Sequence, residues 1–144
     1  MSGFLIDTNV LSEFNQPSGP DPGVRRWVET THLRNQFVSV ITLAEIQKGI
    51  ELLAEGKRRK QIEKWLKEDF DKWFLARILP VDRPIAVRWA SLVAQGTRNG
   101  RTLPVVDSLI AATALVHDLI IVTRNTRDFD GIGVATINPW TTSR

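Results

Sequence analysis

Asp7, Glu45, Asp107 and Asp128 are acids embedded in or beside apolar runs: "FLIDTN", "TLAEIQ", "LPVVDSLIAA" and "IIVTRNTRDF". A carboxylate in such a setting loses hydration, and keeping it ionised is costly unless opposite charge or hydrogen bonds compensate. Each acid also has a local reading. Asp7, with Thr8 and Asn9, could cap a helix that starts near Val10. Glu45, sharing a helix face with Ile41 and Lys48, could serve the helix dipole. Asp107 caps a helix that starts at Ser108, but lies inside one that starts at Pro104. Asn125 and Asp128 could form turns. Taken together, these residues permit a different chemistry. Several carboxylates without a thiol or imidazole make a hard, all-oxygen site that suits Mg²⁺ or Mn²⁺. Such an ion polarises a phosphoryl oxygen and activates water for attack.

For these acids to meet, the surrounding segments must carry them to one rim. Short, mostly unalternating apolar runs predict strands at Phe4–Ile6, Phe37–Val40, Arg77–Val81, Leu119–Thr123 and Val134–Ile137, as expected of strands covered on both faces. Helical patterns fall at Val24–Thr31, Thr42–Ala54, Lys57–Ala76, Ile85–Gln95 and Pro104–His117. Breakers separate them, and the alternation predicts one α/β domain over residues 1–144 with a mainly parallel sheet. Open sheets of this kind bind ligands beyond the carboxyl ends of their strands, where Asp7 and the Asn125–Asp128 segment fall.

Composition narrows the function classes. The chain lacks cysteine and has only two histidines, His32 and His117. Disulfides, thiolate zinc sites, cysteine nucleophiles and histidine-rich metal centres are thereby excluded, and a reducing cytoplasm suits such a chain. The N-terminal stretch has no basic residue before Arg25 and reads as no secretory signal. The apolar stretch Leu103–Val122 is interrupted by Asp107, Ser108, Thr113, His117 and Asp118, which fits a core helix and strand and not a membrane span. Net charge is +3, from 19 basic and 16 acidic residues; setting aside the four candidate acids leaves 12 acids against the 19. The outer surface is then basic, as phosphate recognition requires. Arg98, Arg101, Arg124 and Arg127 flank the acids in sequence and are candidates for gripping an RNA backbone. Trp65, Trp73, Trp89 and Trp140 read as core or subunit contacts, and Lys57–Lys60 as part of a solvated helix face.

The segments "LIDTNVLSE", "VSVITLAEIQKGI", "RILPVD", "VVDSLIAATALVHDLIIVTRNTRDF" and "INPW" occur in the order found in a known family and cover nearly the whole chain. The chain resembles the PIN-domain ribonucleases, and within them the VapC/FitB-type toxins of prokaryotic toxin–antitoxin pairs. The resemblance implies a three-layer α/β/α sandwich and a metal-dependent endoribonuclease acting on RNA, with tRNA as one candidate. It further implies a homodimer and a cognate antitoxin protein. Asp7, Glu45 and Asp107 correspond to the family acids that hold Mg²⁺ or Mn²⁺. The fourth position departs from the pattern: Asn125 stands where many relatives have an acid, and the next acid is Asp128.

Two other functions compete. A phosphotransfer protein could use Asp7 as a covalent nucleophile, although Asn9 stands where its second aspartate belongs. A non-catalytic RNA- or protein-binding module of the same fold is the second, and Asn125 is its best argument.

Overall fold

A computed structural model of the chain describes residues 3–142. Five parallel strands form one sheet in the order β3–β2–β1–β4–β5, with β1 at Gly3–Ile6, β2 at Gln36–Ser39, β3 at Ile78–Leu79, β4 at Leu119–Val122 and β5 at Thr136–Ile137. Along β1, Leu5 and Ile6 point to opposite faces, as do Ile121 and Val122 along β4. Two hydrophobic clusters result. One joins Ile6 and Val122 to Val10, Ile46, Ile50, Trp65, Phe70 and Phe74; the other joins Leu5 and Ile121 to Ile110, Ala111, Ala114 and Phe129. Helices cover both faces, so the expected α/β/α sandwich is present.

The edge strands are shorter than their apolar runs. β3 stops before Pro80, which has no amide proton to give a ladder. Helix α1 occupies Thr8–Ser12, α2 Pro22–Thr30 and α3 Val40–Leu52. The expected single helix over Lys57–Ala76 is interrupted: α4 (Lys57–Trp65) passes through a π-turn at Leu66–Phe70 into α5 (Asp71–Phe74). Trp65, Phe70 and Phe74 are all buried, and the first two are five positions apart, a spacing that leaves one face of an α-helix. The wider turn restores them to that face. Their rings then meet, Trp65 and Phe70 at 5.9 Å and Phe70 and Phe74 at 5.0 Å between centroids.

On the other side of the sheet, α6 (Arg83–Arg98) returns through a tight loop into α7 (Val105–His117), which lies beside β4. Gly96 makes that return possible: a Cβ there would sit 2.7 Å from the carbonyl oxygen of Arg101. The same glycine's own carbonyl accepts from the Arg101 amide at 2.7 Å. A last short helix, α8, spans Pro139–Thr142. Among the described residues, no helix is long and apolar enough to cross a membrane.

Gly96→Ala is expected to destabilise the fold by about 1–3 kcal/mol, the usual cost of overpacking a closed contact. Denaturant melts check this. Gly49→Ala is the control, because a Cβ at Gly49 meets nothing within 4 Å; it should stabilise by up to about 1 kcal/mol through helix propensity.

Candidate active site

The chain leaves β1 at Ile6, and the next residue does two jobs. Asp7 caps α1, its Oδ1 accepting from the Thr8 amide at 2.9 Å. Its Oδ2 accepts from the Thr123 hydroxyl at 2.8 Å and from Asn9 Nδ2 at 3.4 Å. Thr123 follows β4, the strand next to β1, so the contact joins the carboxyl ends of two neighbouring strands. Asn9 reinforces the junction, donating to Thr123 Oγ1 at 3.1 Å and accepting from the Arg124 amide at 3.1 Å. Asp7 is therefore both a capping residue and a member of the acidic group.

Glu45 comes from α3, which starts at Val40 and is capped by Ser39 at the end of β2. Since no acid lies in the first turn of α3, the dipole explanation for Glu45 fails. Its partner is instead Thr8, whose hydroxyl donates to Glu45 Oε1 at 2.6 Å. Asp107 lies inside α7, because that helix starts at Val105 with Pro104 before it. It caps nothing. Ser108 fixes the helix start: its hydroxyl donates to the Pro104 carbonyl at 2.7 Å and accepts from Trp89 Nε1 at 2.8 Å. Trp89 thus acts as a brace between α6 and α7.

The acids feel one another. Burial raises Asp7 above its ordinary value, hydrogen bonds from Thr123 and Thr8 pull it back, and the charges of Glu45 and Asp128 push it up again. Desolvation also raises Asp107, followed by the charges of Asp128, Asp7 and Glu45, and no hydrogen bond offsets them. All four acids therefore share one electrostatic field. Among the described residues, no three acidic or histidine side chains converge on a common point as ion ligands.

Asn125 and Asp128 occupy the turn after β4. Asn125 donates its amide to Thr123 Oγ1 at 3.1 Å, and Asp128 lies in a 3₁₀ turn, Thr126–Phe129, anchored by buried Phe129. The arginines separate. Arg101 donates to the carbonyls of Asp128 and Asp130, bracing the loop that carries Asp128. Arg124 lies over the Trp140 ring, 5.0 Å from its centroid, and Arg98 bonds to Gln95 at 2.8 Å. Arg127 is exposed in the Asp128 turn. Thr8, Asn9 and Thr123 are the supporting residues that acid-centred reasoning underrates. Their signal is polar side chains placed directly beyond two apolar strands.

The PIN domain family model matches residues 4–134. The chain belongs to the PIN-domain family. Among PIN-domain relatives, Toxin FitB of Neisseria gonorrhoeae is 37% identical over 136 residues, which cover 94% of this chain and 97% of the toxin. VapC ribonuclease Y4jK of Sinorhizobium fredii is 34% identical over 136 residues, 94% of this chain and 96% of that one. The crystal structure of FitAcB from Neisseria gonorrhoeae superposes with a TM-score of 0.88 at 36% identity, covering 96% of this PIN domain chain and 99% of the other.

The upward shifts have a consequence for stability. The native chain holds these protons more tightly than the unfolded chain, whose carboxyls titrate near 3.8. From 3.8 up to the raised native values, rising pH therefore erodes stability, and the full penalty stands above that window. In chelator at neutral pH, Asp107→Asn is expected to melt above the parent. Its advantage should shrink as pH falls toward 3.8. Equal melting temperatures across that range would show that Asp107 is not repelled.

Proposed function

We propose that this chain is a metal-dependent endoribonuclease, the toxin of a toxin–antitoxin pair, which hydrolyses phosphodiester bonds in RNA. The observation that carries the reading is the contact network beyond the carboxyl ends of β1 and β4, where Thr123 holds Asp7 and Thr8 links it to Glu45, with Asp107 and Asp128 near enough for their charges to matter. The toxin and ribonuclease names of relatives that align over 94% of this chain support it. Asp107, in the first turn of α7, makes no cap, and the charges that act on it are those of the other three acids.

An all-oxygen donor set fits Mg²⁺ or Mn²⁺. Asp7, Glu45 and Asp107 would hold the ion, with Asp128 as the favoured fourth carboxylate because its charge acts on both Asp7 and Asp107. When bound, the ion supplies Lewis acidity toward the phosphate and activation of water. The chain's own residues do the positioning. Thr123 and Asn9 fix the Asp7 carboxylate, Thr8 fixes Glu45, and the Ser108–Trp89 contact fixes the turn bearing Asp107. These contacts limit how far each carboxylate must move to reach a shared ion. Arg98, Arg124 and Arg127 offer phosphate contacts around this rim, while Arg101 keeps the Asp128 loop in place. Homodimerisation, a cognate antitoxin and tRNA as substrate are the family expectations that accompany this reading.

Purified protein with structured RNA and Mn²⁺ is expected to cleave it. Asp107→Asn should lower the rate at least about 100-fold, the scale of removing a group that organises transition-state charge. Chelator should abolish cleavage. RNA affinity should fall steeply with salt, and unimpaired cleavage by Asp107→Asn would overturn the reading.

Calorimetric titration with Mn²⁺ separates the candidates for the fourth position. Asp128→Asn should weaken binding by about 10-fold or more, the range seen when a supporting ligand is lost. Asn125→Asp should tighten binding only if Asn125 occupies that place. If neither changes affinity, the site has three acids and both residues are turn formers.

A further inference from the structure

Glu45 belongs to the acidic rim, but it also lines a cleft of about 260 Å³ between α1, α3 and α4. The cleft's walls are chemically divided. Ile46, Ile50 and Trp65 give it an apolar floor, while Asn15 and Gln16, in the turn after α1, stand at its edge. A nucleobase has the matching division: flat apolar faces and a polar edge of donors and acceptors. A side-chain amide carries both donor and acceptor, so Asn15 and Gln16 can pair with such an edge. Single-stranded RNA is read in this way, by bases splayed out of the strand into apolar slots.

Gly49 is a second, independent observation. It lies in the interior of α3, where glycine is unfavourable, and it lines the same cleft. A Cβ at this position meets no atom within 4 Å, so the fold itself does not require glycine there. The missing side chain leaves the cleft open. We infer that this cleft is a base-recognition subsite, which takes one nucleobase of a single-stranded RNA whose backbone passes the acids at Glu45. The inference rests on the ribonuclease reading and names its specificity device: Asn15 and Gln16 select the base, and Gly49 admits it.

The test is binding without cleavage. In chelator, with Asp107→Asn as the background, fluorescence anisotropy measures the affinity for labelled RNA hexamers of A, C, G and U. One homopolymer is expected to bind at least about fivefold more tightly than the weakest, the scale of one or two net hydrogen bonds. Gly49→Leu, which fills the opening, and the pair Asn15→Ala and Gln16→Ala should each bring the four affinities within about twofold of one another. Circular dichroism melts of Gly49→Leu check that the variant is folded; a melting temperature at or above the parent's makes its loss of discrimination a steric effect. Equal binding of all four by the parent, or an unchanged ranking in the variants, overturns the inference. An unchanged RNA ranking together with lost affinity for a co-expressed partner protein also overturns it and makes the cleft a protein groove. Absence of RNA cleavage by the otherwise unaltered chain in Mn²⁺ would count against the ribonuclease reading alone, because base discrimination is measured separately.

Discussion

The hydrogen bond from Thr123 to the Asp7 carboxylate is the contact on which the rim of this molecule is built. It joins the end of β1, the central strand of the sheet, to that of its neighbour β4 and holds in place the carboxylate that also caps α1. Burial alone pushes the Asp7 carboxyl above its ordinary value. The Thr123 hydroxyl and the Thr8 amide work against that tendency without reversing it. Other parts of the rim are referred to the same point: Asn9 bonds to both Thr123 and Asp7, and Asn125 is attached through its amide to Thr123. Asp7 and Glu45 are thus supported by neutral hydroxyls and amides. Neutral donors position negative charge without cancelling it, so the attraction for a cation is retained.

That arrangement explains which sequence signals were legible. The apolar runs before Asp7 and Thr123 marked buried strands, and the parallel sheet followed from their alternation with helices. Asp107 stood out because its neighbours are apolar, and Pro104 correctly marked the helix start that leaves it without a capping role. Glu45 was harder to interpret. Its local sequence allowed a dipole role, and only the start of α3 at Val40, which puts Glu45 beyond the helix's first turn, removes that explanation.

What could not be read depends on tertiary contacts between distant residues. The Thr8–Glu45 bond spans 37 positions and the Trp89–Ser108 bond 19, and neither has a local periodicity to announce it. The π-turn at Leu66–Phe70 escaped for a related reason: helical periodicity assumes a constant pitch, whereas the aromatic spacing here makes the pitch adapt to the core. Arg101 illustrates the same limit among the basic residues. Its place beside the acids in sequence suggested a phosphate contact, but its guanidinium is engaged with the backbone of the Asp128 loop.

The order in which the chain emerges during synthesis gives the sheet topology one more consequence. β1 is made well before its neighbour β4, which begins at Leu119, and Thr123 lies 116 positions beyond Asp7. A nascent chain can complete α1, α3 and the first hydrophobic cluster's aromatic helices while β1 still lacks one of its two flanking strands. Throughout that interval the acidic rim is missing Asp107, Thr123 and Asp128. A rim built in this way has no half-made form, since the segments from Asp107 onward supply the pieces that complete it. Synthesis itself therefore acts as a delay: the rim comes into being only after β4 and the turn that follows it have been made.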